Sequence, residues 1–250
     1  MNTITRFSNR VDNYVKYRPG YPQQVLELFR KQMGLTKNSV LADIGSGTGL
    51  SAKLFLENGN TVYGVEPNAS MREAAEEYLK AFQNFITHDG TAEQTNLDDA
   101  SLDFVIAAQA FHWFNAEKTE TEFRRILKPG GYVALIWNER QLNTTEFLRE
   151  YELLLKKFGN DYDKVRHENI DQEKLGSFFG VDYDQAAFSN EQTFDLEGLR
   201  GRVLSSSYMP AEDDPEFPAL EKELCGLFAK FAEGGRIKVF YDTNIYYKQY

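Results

Sequence analysis

Short apolar runs recur through the first half of the chain, and segments with apolar residues at helical spacing separate them. In the first such segment, Leu50, Leu54 and Phe55 are spaced to share one face of a helix. Short apolar runs in this arrangement are typical of strands buried on both faces of a parallel sheet. The runs predict strands at 39–44, 61–66, 84–89, 102–111 and 132–137.

Glycine, proline and capping residues predict where the helices begin and end. A helix after the first strand ends at Gly59, and one before that strand begins near Pro22. The next helix begins with a capping box formed by Ser70 and Glu73, and a third, "EKTETEFRRIL", leads into the turn "KPGG". Right-handed crossovers place such helices on both faces of a parallel sheet. The pattern therefore predicts a doubly wound, Rossmann-like α/β fold.

After Asn138 the regular alternation ends, and helical segments surround one possible strand at 186–194. The final stretch, 236–250, is aromatic and β-branched, which predicts one or two antiparallel strands. The complete sheet is expected to have seven strands, mostly parallel, with an antiparallel last strand. The helical segments of this half are expected at 144–158, 196–207 and 216–232.

Composition and charge narrow the functional classes. The net charge is −10, from 28 basic and 38 acidic residues, and no basic cluster marks a nucleic-acid-binding face. The chain begins without the apolar region of a signal peptide, and no apolar run is long enough to span a bilayer, so a cytoplasmic protein is expected. The single cysteine, Cys225, excludes a disulfide within the chain, and its apolar neighbours predict a packing role. No metal site is expected, because His88 and His167 are not spaced to join His112 around an ion.

The stretch "VLADIGSGTGL" (40–50) places glycines at alternate positions directly after the first predicted strand. Ligands of open parallel sheets bind beyond the carboxyl ends of the strands, where a loop that opens a helix presents free N–H groups. A phosphate-binding P-loop is excluded, because no Gly-Lys-Ser/Thr sequence follows. The dinucleotide pattern G-x-G-x-x-G fits poorly, because its third glycine would fall on Leu50.

Two acidic residues favour another adenosine ligand. Asp43 lies two residues before Gly45, where a carboxylate would repel a pyrophosphate but suit an ammonium group. Glu66 ends the second strand, 21 residues after Gly45, where a carboxylate can accept hydrogen bonds from both hydroxyls of a ribose. Glu66 alone does not distinguish NAD from other adenosine ligands. An NAD(P)-dependent oxidoreductase therefore stays as an alternative.

The chain resembles the class I S-adenosylmethionine-dependent methyltransferases in four ordered motifs, "DIGSGTG", "VYGVEPNASM", "THDGTAEQTNLDDASLDFVIAAQAFHWF" and "ILKPGGYVALIW". Within that family it is similar to the small-molecule branch that includes trans-aconitate-type enzymes, over about residues 8–137. The resemblance implies S-adenosyl-L-methionine as cofactor, S-adenosyl-L-homocysteine as product, and a small-molecule acceptor. The acidic surface is compatible with a monomer or a homodimer. A non-catalytic protein that binds an adenosyl ligand is the second alternative.

The resemblance also implies which residues bind the cofactor. Gly45, Ser46 and Gly47 would hold its methionine portion, with Asp43 near the amino group and Glu66 at the ribose. The adenine would lie among Pro67, Met71, Asp89, Thr91 and Ala92. The floor near the sulfonium would be formed by Gln109, Ala110 and Phe111. The lid over the cofactor would include Tyr14, Tyr17 and Arg18.

The methyl acceptor is expected to be a carboxylate, a hydroxyl or an activated carbon. Enzymes that methylate exocyclic or amide nitrogens usually carry Asn/Asp-Pro-Pro-aromatic after the fourth strand, whereas this chain has "AQAF". A carboxylate needs no base, and Arg18, Arg200 or Arg202 could orient it. A hydroxyl or carbon acceptor would need a general base, for which His112 is the candidate, although a lone histidine is more often a structural group.

We expect a single methyltransferase domain, since a chain of 250 residues can bury a core without disulfides or metals. Its predicted parts are an N-terminal lid with helices (1–37), a cofactor-binding core (38–138), a substrate-side cap with one core strand (139–235) and a final strand or strand pair (236–250).

Overall fold

The computed structural model describes residues 15–160, 162 and 172–250. Tyr14 and His167 lie outside the described residues. The strands are β1 (Val40–Ile44), β2 (Thr61–Val65), β3 (Phe85–His88), β4 (Leu102–Ala108), β5 (Leu127–Arg140), β6 (Asp184–Phe194) and β7 (Ile237–Gln249). The helices are α1 (Gln23–Gln32), α2 (Leu50–Glu57), α3 (Ala69–Tyr78), α4 (Ala116–Ile126), α5 (Glu146–Phe158), α6 (Gln172–Phe179), α7 (Leu196–Leu204) and α8 (Phe217–Phe231).

The strands form one seven-stranded sheet in the order β3-β2-β1-β4-β5-β7-β6, and β1 to β5 pair in parallel. The last strands are antiparallel. Backbone hydrogen bonds show this for β7, because the N–H of Gly130 binds the carbonyl of Tyr250 while the N–H of Gln141 binds that of Phe240. The predicted Rossmann-like fold with seven strands is confirmed.

Alternate residues of the central strands enter two separate apolar clusters. On β4, Val105 packs with one cluster while Phe104 and Ile106 pack with the other, and β1 divides in the same way between Ala42 and Leu41. Successive side chains of a strand point to opposite faces, so both faces of the sheet are buried. This is why the central strands are continuous apolar runs in the sequence.

The chain divides into two compact units. The larger comprises Gly20–Asn138, Asn169–Phe188 and Thr243–Tyr250, and it contains β1 to β4 with the two clusters that flank them. The smaller comprises Met1–Pro19, Glu139–Glu168 and Ser189–Asp242. The described core of the smaller unit is a single cluster built mainly from α5, α7 and α8.

Four details of the sequence prediction need correction. Ser70 does not cap α3, because Asn68 occupies the N-cap and its side chain accepts the N–H of Met71. Helix α6 was not predicted, and the segment "KPGG", predicted as a turn, lies within the long strand β5. Cys225 is exposed on α8, so its predicted packing role is wrong. The buried face of that helix is formed by Leu220, Leu224 and Leu227, and residue 225 lies about 100° away from it.

No helix among the described residues is both long enough and apolar enough to cross a membrane. In the same part of the chain, no group of three or more His, Cys, Asp or Glu side chains is arranged to hold a metal ion.

Candidate active site at the carboxyl ends of β1, β2 and β4

Sheet register aligns the ends of three neighbouring strands. Ile44 pairs with Val65, and Val65 pairs with His88, so Gly45, Glu66 and Asp89 each follow their strand at the same edge. Backbone hydrogen bonds extend this alignment past the strands, from the N–H of Gly45 to Val65 and from the N–H of Glu66 to His88. The edge is therefore a row of loops with their polar residues side by side.

The glycines of the loop after β1 are required for two different structural reasons. Gly45 has φ +68°, and a Cβ there would lie 2.6 Å from the Cβ of Ala110, so close packing against the end of β4 excludes a side chain. Gly47 also has positive φ, +53°, yet a Cβ there would have no described heavy atom within 4 Å. Gly47 therefore keeps a left-handed turn and an open backbone surface. Gly49 packs against Leu79, whose side chain leaves no room for a Cβ there.

Asp43 lies beneath this loop with no accessible surface. Its Oδ2 accepts a hydrogen bond from the hydroxyl of Ser51 at 2.5 Å, whereas Oδ1 accepts none from the described part of the chain. Burial raises the pKa of the Asp43 carboxyl to about 7, and the nearby Glu66 carboxylate contributes to the increase. An acceptor atom is thus buried and unsatisfied under the loop, where an added cation would be stabilised.

Glu66 connects β2 to the glycine loop. Its Oε2 accepts the N–H of Gly47 at 3.0 Å, and its Oε1 accepts the N–H of Asn68 at 2.9 Å. Burial raises the pKa of Glu66, while these two hydrogen bonds oppose the increase by stabilising the carboxylate. Two carboxylates therefore lie at the loop that a pyrophosphate would have to occupy in a dinucleotide enzyme.

Arg72 organises the ends of β2 and β3, although no sequence motif pointed to it. Its Nη1 donates to the carbonyl of Glu66 at 2.7 Å and to Oδ1 of Asp89 at 3.1 Å. Asp89 is largely exposed, and its carbonyl accepts a hydrogen bond from Asn96. Of the other predicted adenine contacts, Met71 and Ala92 are buried, Pro67 is partly buried and Thr91 is exposed.

The end of β4 forms a strained turn. Gln109 has φ +57°, and its Nε2 donates to the carbonyl of Asn138 at 2.8 Å. The next two predicted floor residues are buried, Ala110 against Gly45 and Phe111 against the rings of Trp137 and Phe178. A left-handed residue other than glycine costs about 1–3 kcal/mol and persists where surrounding contacts hold it, often at functional sites.

His112 lies in the 3-10 helix Phe111–Trp113, and its ring is 4.5 Å from that of Trp113 and 6.3 Å from that of Trp137. Lys174, on the unpredicted helix α6, donates to the carbonyls of Phe111 and His112 at 3.0 and 3.2 Å. The backbone that carries His112 is therefore held by a residue far away in sequence, which no local pattern could have revealed.

The described cofactor residues implied by the four motifs all belong to the larger unit, together with His112: Asp43, Gly45, Ser46, Gly47, Glu66, Pro67, Met71, Asp89, Thr91, Ala92, Gln109, Ala110 and Phe111. Tyr17 and Arg18 belong to the smaller unit. Tyr17 packs on Gly201, and Arg18 Nη2 donates to the carbonyl of Ser205 at 3.0 Å.

The chain has relatives among the methyltransferases. Residues 42–135, from β1 to β5, match a family described as a methyltransferase domain. An uncharacterized methyltransferase of Mycobacterium tuberculosis is 33% identical over 202 residues, which cover 81% of this chain and 76% of the relative. The chain belongs to the S-adenosylmethionine-dependent methyltransferases. A second relative is an uncharacterized methyltransferase of Schizosaccharomyces pombe. It is 27% identical over 222 residues, which cover 85% of this chain and 84% of the relative.

Solved structures share the fold of this methyltransferase. A protein of Anaeromyxobacter dehalogenans, assigned as a type II methyltransferase, superposes with a TM-score of 0.68 at 19% identity, covering 93% of this chain and 98% of its own. A Haemonchus contortus phosphoethanolamine N-methyltransferase, in complex with S-adenosyl-L-methionine, superposes with a TM-score of 0.51 at 17% identity. That superposition covers 96% of this chain and 56% of the other.

Proposed function

We propose that this methyltransferase transfers the methyl group of S-adenosyl-L-methionine to a small organic acceptor, as enzymes of the trans-aconitate type do. The observation that supports this most strongly is Asp43. Its Oδ1 is buried and without a hydrogen-bond donor in the described chain, directly beneath a glycine loop at a strand end. An ammonium group would satisfy this atom, and the methionine portion of the cofactor carries one.

The residues around the loop fit the remainder of the cofactor. The backbone of Gly45, Ser46 and Gly47 would hold the methionine portion, since Gly47 leaves its surface open. Glu66 would accept the ribose hydroxyls by exchanging its hydrogen bonds with Gly47 and Asn68. The adenine would lie among Pro67, Met71, Asp89, Thr91 and Ala92. Gln109, Ala110 and Phe111 would form the floor, and Tyr14, Tyr17 and Arg18 would belong to the lid.

An NAD(P)-dependent oxidoreductase is disfavoured by the same groups. A pyrophosphate at the loop would place two negative charges beside the carboxylates of Asp43 and Glu66. Like charges in a partly buried site repel by several kcal/mol unless one group is neutralised. The methyltransferase relatives point in the same direction.

When bound, S-adenosyl-L-methionine supplies a methyl group on a positively charged sulfur, and S-adenosyl-L-homocysteine remains after transfer. The chain has to hold the acceptor in line with that methyl group and exclude water, which lowers the barrier by up to roughly 7–11 kcal/mol. A carboxylate acceptor brings its own negative charge and loses no proton. For a hydroxyl or carbon acceptor, His112 would remove the proton that the acceptor loses.

Calorimetry with S-adenosyl-L-homocysteine tests the cofactor assignment. The purified chain should bind this compound and should bind NAD weakly or not at all. Asp43→Asn and Glu66→Gln should each weaken binding about tenfold or more, because each removes a charged hydrogen-bond partner. Glu73→Gln, at an exposed position of α3, is the matched control and should leave binding unchanged.

Two results would contradict the proposal. Tighter binding of NAD than of S-adenosyl-L-homocysteine would favour an oxidoreductase. Binding of S-adenosyl-L-homocysteine without transfer of labelled methyl from S-adenosyl-L-methionine to any compound in a broad panel of acids, alcohols and activated carbon acids would favour a non-catalytic adenosyl-binding protein.

A further inference from the structure

Two arginines are buried among the described residues of the smaller unit, and their surroundings differ. Arg140, with 5% of its side chain exposed, forms an ion pair with Glu152 at 2.5 Å. The same carboxylate oxygen accepts the hydroxyl of Tyr162 at 2.6 Å. Arg140 therefore has a buried countercharge, as buried guanidinium groups normally do.

Arg202, on α7, is only 8% exposed, and no described Asp or Glu forms an ion pair with it. Its Nε donates to the hydroxyl of Tyr241 at 3.3 Å, and its Nη1 donates to Ser206 Oγ at 3.0 Å, with Ser205 Oγ at 3.5 Å. Its Nη2 donates to no described residue. The contacts of this guanidinium are thus neutral hydroxyl groups.

The nearby tyrosines do not supply the missing negative charge. Tyr151 is fully buried beside both arginines, and burial raises its pKa to about 12, so its phenol is neutral at physiological pH. A guanidinium stays protonated at any pH that a protein tolerates. The described buried groups of the smaller unit therefore include two guanidinium cations, Arg140 and Arg202, but only one carboxylate, Glu152. A buried cation without an anion is costly, and buried charges in proteins are normally paired.

The N-terminal segment is connected to Arg202 by hydrogen bonds. The hydroxyl of Tyr241, which accepts from Arg202, donates to Gln192 Oε1 at 2.8 Å, and Gln192 Nε2 donates to the carbonyl of Tyr17 at 3.2 Å. Arg18 donates to the carbonyl of Ser205, the residue whose hydroxyl lies near Arg202 Nη1. A second cationic side chain therefore lies close to Arg202.

We propose that Arg202 binds the carboxylate group of a small organic acid within the smaller unit. Tyr241 and Ser206 hold one edge of the guanidinium, and Nη2 offers its remaining donors to the anion. Arginine binds carboxylates through two parallel hydrogen bonds, which gives orientation as well as affinity.

Thermal unfolding of the full chain, saturated with S-adenosyl-L-homocysteine, tests the proposal at constant ionic strength. The probes are succinate and butyrate, and their amides, succinamide and butyramide, are the neutral controls. The carboxylates should raise the Tm of the wild type with increasing concentration, and the amides should not. A ligand that binds only the folded state stabilises it by RT ln(1 + [L]/Kd), so the Tm rises with the logarithm of the carboxylate concentration above its Kd.

Arg202→Met should abolish the carboxylate-dependent Tm shift. Arg149→Met, which removes an exposed arginine of the same unit, should keep it. Arg202→Lys retains the charge without the planar fork, and it should weaken the apparent carboxylate affinity about tenfold. The lysine variant also serves if the methionine variant does not fold.

Equal Tm shifts in the wild type and the Arg202 variants, or no shift by either carboxylate in the wild type, would overturn the proposal. Binding of S-adenosyl-L-homocysteine is measured on the same samples. Its loss in the wild type would count against the proposed function, whereas intact binding without a carboxylate effect would count against the Arg202 site alone.

Discussion

The larger and smaller units bury charges of opposite sign. In the larger unit, Asp43 is a fully buried carboxylate that lacks a donor at one oxygen, and Glu66 lies next to it at the glycine loop. In the smaller unit, Arg202 is a buried guanidinium without a carboxylate partner in the described chain. Each unit therefore holds a buried charge suited to a ligand of opposite sign, an ammonium group for Asp43 and a carboxylate for Arg202.

Both units also contain buried charges that are paired with an opposite charge, which shows that unpaired buried charges are not a general property of the described chain. Glu122 in the larger unit accepts hydrogen bonds from Thr95 and Arg125, and the hydrogen bond from Arg125 lowers its pKa to about 2. Arg140 and Glu152 form the corresponding buried ion pair in the smaller unit. Structural charges are paired, and the charges left over mark candidate ligand sites.

The largest expected effect separates the paired arginine from the unpaired one. Arg140→Met should destabilise the protein by about 3–5 kcal/mol, because it leaves the buried carboxylate of Glu152 without its buried cation. Arg202→Met should change the free energy of unfolding by less than about 1 kcal/mol or raise it, since no carboxylate is orphaned. Urea unfolding monitored by circular dichroism measures both. A larger loss for Arg202→Met than for Arg140→Met would contradict the comparison.

In the larger unit, Gly45→Ala should cost roughly 2–4 kcal/mol, because the new methyl group meets Ala110 and the backbone keeps a positive φ. Binding of S-adenosyl-L-homocysteine should fall with it. Gly176→Ala is the matched control. Gly176 lies within α6, where a Cβ meets no described atom within 4 Å, so this change should add about 0.5–1 kcal/mol. Chemical denaturation and calorimetry measure the pair.

The pH dependence of binding reports on Asp43. Its pKa is about 7 in the folded chain against 3.8 ordinarily, so the carboxyl is mostly protonated at pH 6 and mostly ionised at pH 8. Binding of an ammonium group favours the ionised form, and affinity for S-adenosyl-L-homocysteine should rise about tenfold between these values. Asp43→Asn should flatten this dependence in calorimetric titrations. An equally steep profile in the variant would assign the effect to another group.

The same carboxyl affects the ligand-free protein in the opposite direction. An acid whose pKa is higher when folded than when unfolded binds more protons in the folded state. The stability of the free protein should therefore decrease as the pH rises from about 4 to about 7, and Asp43→Asn should remove this part of the decrease. Thermal unfolding across that range measures it.

The smallest expected effect concerns His112. If the acceptor is a carboxylate, no proton is removed, and His112→Ala should change kcat by less than about threefold, whereas loss of a general base costs about 100-fold or more. Arg18→Ala in the smaller unit, measured on the same acceptor, should mainly raise KM. A 100-fold loss of kcat in His112→Ala would indicate a hydroxyl or carbon acceptor.

Much of the larger unit was predictable because its signals are local. The buried strands are continuous apolar runs, and the glycines at 45, 47 and 49 predict a loop at the end of a strand. Asp43 and Glu66 lie at characteristic sequence distances from that loop. The mispredicted details concern positions where two nearby residues could both occupy a cap or a buried helix face. Asn68 caps α3 in place of Ser70, and Cys225 lies beside the buried stripe of α8 and not within it.

The amino-acid sequence by itself determined the fold class, the position of the glycine loop at the end of β1 and the methyltransferase family, because each depends on residue type and short-range spacing. Only the tertiary structure decided which charges are paired. Sequence marks Arg140, Arg200 and Arg202 alike as cations, yet Arg140 has Glu152, Arg200 has Glu212 and Glu221, and Arg202 has hydroxyl groups. The energy of a charge depends on its burial and on partners distant along the chain, and both are set only when the elements pack.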